Sequence, residues 1–172
     1  EIPRIYHDAQ SRRLPVFVLG GGSNVIAKDE GFEGIVLLNR IKGFEVMSED
    51  EESVTLKIGA GEVWDEVVAR TVDMGLSGIE AMSAIPGTAG AAPVQNVGAY
   101  GQEIANTLVE VEAYDSTEDA MVILPAEQCH FSYRHSIFRG SQMGRYCITA
   151  ITIRLSRHAP QPPFYAGLQR YL

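Results

Sequence analysis

The stretch SAIPGTAGAAPVQNVGAYG, residues 83–101, holds four glycines, five alanines and two prolines, with Gln95, Asn96 and Tyr100 set among them. No helical or strand period runs through it, so it reads as a long ordered loop. Such loops inside compact domains tend to be functional. Gly87, Gly90, Gly98 and Gly101, with Ala91 and Ala92 between them, leave the main chain bare enough for a flat ring system or a diphosphate to approach closely. Pro86 and Pro93 restrict its path and lower the entropy lost in ordering it.

A second side-chain-poor bend lies earlier, in VFVLGGGSN (16–24). A short apolar run delivers the chain into Gly20, Gly21, Gly22, Ser23 and Asn24, whose N–H groups could converge on a phosphate. This is not the Rossmann fingerprint, because G-x-G-x-x-G begun at Gly20 would need glycine where Val25 stands. Nor is it a P-loop, since the Gly-Lys-Ser/Thr ending is missing. Alone, a glycine-rich turn after a strand is more often just a turn. Two such loops in one unit suggest a dinucleotide, one loop for the diphosphate and one for the reacting ring.

The remaining chain is α+β. Strands are expected over 16–19, 34–39, 44–47 and 53–61, the last alternating Val54, Leu56 and Ile58 on one face. A helix is expected over 62–74, with Trp64, Val67, Val68, Thr71 and Val72 on one stripe, Met74 in the core and Gly75 as its stop. Strands over 107–115, 121–124 and 145–155 follow with short turns, an antiparallel pattern. The expected division is residues 1–75 as a first subdomain, 76–158 as a second, and 159–172 as a proline-rich connector. Both ends look cut, with an uncapped helix at Glu1 and a new element barely begun after residue 159, so a fragment is expected.

The net charge of −8 argues against nucleic acid or an anionic membrane as partner. No apolar run of membrane-spanning length and no signal-peptide pattern is present in these residues, and the expectation is a cytoplasmic monomer. Cys129 and Cys147 read as reduced, buried thiols. His7, His130, His135 and His158 have no metal-ligand spacing, so no metal is expected. The run SEDEES (48–53) reads as a solvated acidic hairpin tip.

Taken in order, L-G-G-G-S-N (19–24), G-A-G-E (59–62), I-P-G-T-A-G-A-A-P-V-Q-N-V-G-A-Y-G (85–101) and F-S-Y-R-H-S-I-F (131–138) resemble the UDP-N-acetylenolpyruvoylglucosamine reductase (MurB) family of peptidoglycan precursor synthesis. The resemblance spans nearly the whole chain. It implies an FAD-binding region of the vanillyl-alcohol oxidase (PCMH) type, made of two α+β subdomains. It also implies NADPH as hydride donor and UDP-N-acetylglucosamine enolpyruvate as the substrate reduced to UDP-N-acetylmuramate.

By that resemblance Gly21, Gly22, Ser23 and Asn24 hold the FAD diphosphate, while Gly87, Ala91, Ala92, Gln95, Asn96, Gly98 and Tyr100 line the flavin. Arg134 matches the family's catalytic arginine; from the residues alone it reads as a surface or ion-pair side chain. Tyr165 matches a tyrosine of type I members that reaches the substrate diphosphate, and it fits equally an aromatic packed under the connector. The family's proton-donating serine motif and its C-terminal glutamate have no counterpart in these 172 residues. Two other readings stand beside this one. One is an FAD- or nucleotide-binding module without turnover. The other is a related flavin oxidase, whose family often tethers FAD through His or Cys, neither of which lies in these loops.

Overall fold

The computed structural model describes residues 1–160 and 165–167. Helix α1 (Ile2–Ser11) precedes two strands, β1 (Val16–Leu19) and β2 (Ile35–Leu38), which pair in parallel from Val16↔Ile35 to Leu19↔Leu38. Parallel neighbours need a long crossover, and residues 20–34 supply it, with the glycine triplet at its start. Next come β3 (Phe44–Glu49), β4 (Ser53–Gly59) and helix α2 (Trp64–Asp73). After the long loop, β5 (Gly98–Ala99) and β6 (Gln102–Glu103) form a small hairpin, followed by β7 (Leu108–Asp115), β8 (Ala120–Pro125) and β9 (Tyr146–Ser156).

The main sheet is antiparallel with the order β3-β4-β9-β7-β8. Its central strand, β9, pairs with β4 over Ser53↔Ser156 to Gly59↔Ala150 and with β7 on its other side. That explains why β9 is almost continuously buried. The expected division at residue 75 cuts across this sheet: β3 and β4 lie before it, yet β4 is hydrogen-bonded to β9 along its whole length. Local spacing does not reveal such a pairing, because its partners lie about a hundred positions apart in the chain.

Two hydrophobic clusters divide the interior. The larger joins Val54, Leu56 and Ile58 of β4 with Ile151, Ile153 and Leu155 of β9 and with Trp64, Val67 and Val68 of α2. The smaller joins Ile2, Ile5 and Tyr6 of α1 with Val16, Val18 and Leu37, and seats them on Tyr114 and Cys147. Those two residues are paired neighbours on β7 and β9, so the second cluster roofs one end of the sheet's opposite face. Both cysteines are free and buried, and burial pushes the Cys129 thiol up to about 12 and the Cys147 thiol to about 11.

Trp64, Val67, Val68 and Thr71 of α2 are buried, but Val72 and Met74 are exposed, contrary to expectation. At 100° per residue Val72 falls about a quarter-turn from the centre of the buried stripe, at its rim. Met74 has already left the helix as its C-cap, ahead of Gly75 at φ +73°. The acidic tip is also more than solvated surface. Asp50 accepts hydrogen bonds from the Glu52 and Ser53 amides at 2.8 and 2.7 Å, which hold its carboxyl below the usual carboxylate range. Asp50, Glu49 and Glu52 then pair with Arg154, Arg157 and His158, fastening the exit of β9.

At the end of β7, the buried Asp115 carboxylate takes hydrogen bonds from Arg145 Nη2 at 2.6 Å and Arg145 Nε at 2.9 Å. That guanidinium holds its carboxyl below the usual range. A depressed folded-state value makes the stabilisation complete above the unfolded value of about 4, and it is lost as pH falls through the folded value. Asp115→Ala is therefore expected to lower the unfolding free energy by about 1–3 kcal/mol at neutral pH, by removing the charge-assisted hydrogen bonds between a buried carboxylate and a partly exposed guanidinium. Urea titrations should show the gap to wild type closing at acid pH. An unchanged neutral midpoint would refute the assignment.

Candidate FAD site

Both glycine loops meet. A methyl group on Gly21 would lie 3.4 Å from the Cα of Gly87, and one on Gly20 would lie 2.8 Å from Thr88 Oγ1. Gly22 and Gly87 have φ +74° and +129°, where side chains are strongly disfavoured. The second loop is also sewn to the turn between β4 and α2. Trp64 N donates to Gly87 O at 3.1 Å, Ala89 N to Glu62 O and Gly90 N to Ala60 O, both at 2.9 Å. At Gly90 a methyl group would come within 2.5 Å of the Ala60 methyl. The small residues of G-A-G-E and of the long loop thus permit one another.

Where the loops diverge they border a cavity of about 800 Å³, within the size range of small-molecule sites. Gly21, Gly22, Ser23 and Asn24 line it from the first loop, and Gly87, Ala91, Ala92 and Gln95 from the second. Asn24 Nδ2 donates to Gln95 Oε1 at 3.2 Å, tying the loops by their side chains as well. Val18, Ile85, Val97 and Ile148 give the cavity apolar walls, and a bare glycine cradle opens on it. Bare peptide N–H groups beside a largely apolar chamber fit a dinucleotide with a flat ring.

Gly98, Tyr100, Arg134 and Tyr165 are not among the residues that line this cavity. Asn96 does not line it. It is 1% exposed, in the left-handed conformation (φ +46°), and its amide is fully engaged within the fold. Its Nδ2 donates to Glu103 Oε2 at 2.8 Å and to Ser132 O at 3.0 Å, and its Oδ1 accepts from Ala105 N at 3.2 Å. Gly98 is required by the hairpin, where a methyl group would meet Gln102 O at 2.5 Å. Tyr100 is 56% exposed and meets the edge of Tyr165 with ring centroids 5.6 Å apart.

Arg134 sits in a tight turn closed by reciprocal Ser132–His135 backbone bonds, at φ +53°, and is half-buried. Its Nη2 donates to Gly98 O at 2.5 Å, and its guanidinium lies 5.7 Å from the centroid of Tyr133. Four and five residues on, Phe138 and Arg139 line the cavity, and Ser136 Oγ donates to Val94 O at 2.7 Å. The segment carrying Arg134 is thus pinned against the cavity's own loop. Sequence reasoning missed Thr88, Asn39 and Arg139 as lining residues. Thr88 lies inside the quoted loop motif and Arg139 one residue beyond the Y-R-x-S-x-F motif; Asn39, at the end of β2, gave no local signal. Among the described residues no cluster of metal-ligating side chains occurs and no helix is long and apolar enough to cross a membrane.

Residues 1–123 match the family described as FAD binding domain, and the chain belongs to that family. The fold is shared with a VAO-type flavoprotein from Myceliophthora thermophila, with a TM-score of 0.60 and 14% identity over 91% of this chain and 30% of that one. Within the class, the chain is 44% identical, over its whole length, to the UDP-N-acetylenolpyruvoylglucosamine reductase of Salinispora arenicola, covering 47% of that protein. The UDP-N-acetylenolpyruvylglucosamine reductase (MurB) of Thermus caldophilus superposes with a TM-score of 0.70 at 26% identity, over 90% of this chain and 52% of that one. The chain thus spans about half the length of the relatives it matches.

Gly90→Ala should drive the second loop off Ala60, costing about 1–3 kcal/mol through overpacking. Bound FAD should fall with it, as read by flavin absorbance after purification. Asn96→Leu would strand the Ser132 carbonyl, the Ala105 amide and the Glu103 carboxylate and should cost at least about 2 kcal/mol. Calorimetry that finds wild-type melting for Asn96→Leu would return Asn96 to a purely cofactor-facing role.

Proposed function

We propose that this chain is the FAD-binding part of an NADPH-dependent UDP-N-acetylmuramate dehydrogenase, which reduces UDP-N-acetylglucosamine enolpyruvate to UDP-N-acetylmuramate in peptidoglycan precursor synthesis. The reading rests on one observation above all: an arginine from the Y-R-x-S motif is fixed to the carbonyl of Gly98, on the same loop that lines the dinucleotide cavity. Its likeness to named reductases at 44% identity supports the substrate class. The proposal includes a cytoplasmic monomer acting on a small molecule, with no nucleic-acid or membrane partner, in keeping with the charge of −8.

FAD, when bound, supplies the hydride-accepting and hydride-donating chemistry. The residues of this chain position and stabilise. Gly21, Gly22, Ser23 and Asn24 would hold the diphosphate through bare N–H groups and short polar side chains. Ala91, Ala92 and Gln95 would flank the ring system. Hydride delivered to the substrate alkene carbon remote from the ether leaves negative charge delocalised into the substrate carboxylate. Arg134, held by Gly98 O, would meet that charge with a guanidinium already in place, so little reorganisation opposes the step. Tyr165, edge-on to Tyr100, would contact the substrate diphosphate.

A second reading follows from the half-length match: the 172 residues alone bind FAD without turnover. Titration of the chain with FAD, followed by NADPH and substrate under anaerobic conditions, separates the two. In the whole protein, Arg134→Ala should leave flavin reduction by NADPH intact and slow reoxidation by the enolpyruvyl substrate about 100- to 1000-fold. Equal loss in both half-reactions would assign Arg134 to structure.

A further inference from the structure

We propose that Arg139 is the cation that meets the diphosphate of FAD, an inference that rests on the chain's FAD-binding reading. Among the described residues that line the cavity, Arg139 is the only one with a charged side chain. The FAD diphosphate carries a negative charge on each phosphate, while this chain carries −8 overall. The first loop offers that anion only neutral donors, namely peptide N–H groups, Ser23 and Asn24, with Thr88 from the second loop. Charge matching therefore falls to one side chain.

The geometry suits the task. Phe138, immediately before Arg139, is buried, and Gly140, immediately after, donates its amide to Ser136 O at 3.0 Å. The backbone at Arg139 is thus held on both sides, and the residue, exposed to solvent, borders the cavity. One guanidinium N–H, on Nη1, points to Arg134 O at 3.3 Å, and among the ion pairs of the described residues none involves Arg139. Its remaining donors are available, and a planar guanidinium matches phosphate oxygens two at a time. The bond to the Arg134 carbonyl adds a consequence: binding the diphosphate would steady the turn that carries Arg134.

The test is a flavin-fluorescence titration of the deflavinated protein, wild type against Arg139→Gln and Arg139→Lys, at low and high salt. Arg139→Gln should weaken FAD roughly 10- to 100-fold at low salt and flatten the dependence of affinity on salt. Arg139→Lys should recover most of that slope. In competition against FAD, ADP should lose potency on Arg139→Gln while adenosine keeps it. Equal losses for ADP and adenosine would mean that Arg139 reads the adenine ring, and the proposal fails. It also fails if Arg139→Gln binds FAD as wild type does. A third failure would be a parallel drop in apo melting temperature and FAD affinity for both variants, which marks Arg139 as a prop for the Arg134 carbonyl. If the wild-type protein takes no FAD, the FAD reading itself falls, a result the wild-type titration alone reports.

Discussion

Two stretches of main chain lie against each other with nothing between them, and the site depends on that contact. Gly21 and Gly87 stand so close that a single added methyl group would touch the opposite Cα. Gly90 makes the same kind of approach to Ala60, and three backbone hydrogen bonds fix the second loop to the turn before α2. Close packing of peptide groups leaves their N–H donors at the surface of the seam, where side chains would otherwise cover them. The density of small residues in 83–101 is thus explained twice over, by what the loop must pack against and by what must approach it.

The cavity exists because two bodies of different size are joined along that seam. The larger is the five-stranded sheet with α2 on one face; the smaller is α1 with the parallel pair β1 and β2. Across their shared interface Tyr114 and Cys147 offer an apolar seat, and Asn39 Nδ2 reaches over to Ile148 O at 2.7 Å. Apolar packing closes one end of the interface and glycine contact closes the other. The gap between is lined by strand ends and loop backbone, which favours a long ligand laid along the join.

Much of this is legible in the sequence, for physical reasons that differ by element. Strands β1, β4 and β9 carry apolar runs or alternation that only a sheet can bury, and α2 carries a stripe ended by Gly75. The two glycine loops are visible because bare backbone is unusual. The subdomain boundary is not legible, since β4 finds β9 across most of the chain. Nor is the purpose of the acidic tip, whose basic partners Arg154, Arg157 and His158 lie about a hundred residues away. Asn96 and Gly98 read as ligand-facing from their motif, but a motif records only that a residue type is needed. A buried amide that satisfies three partners, and a hairpin that admits no Cβ, impose the same demand from within the fold.

Asn96 also couples cavity and arginine. Gln95, its neighbour, lines the cavity and holds Asn24; Asn96 itself grips Ser132 O, two residues before Arg134, and Glu103 at the base of the hairpin that presents Gly98 O. A guanidinium on a free loop would lose rotamer freedom each time it met a partner. Here its turn, its hydrogen-bond acceptor and the cavity wall are all fastened to one buried amide, so that loss is met when the chain folds. The placement of Arg134 therefore depends on a buried amide whose partners all lie within the fold, and substitutions at Asn96 and at Arg134 should couple strongly rather than add.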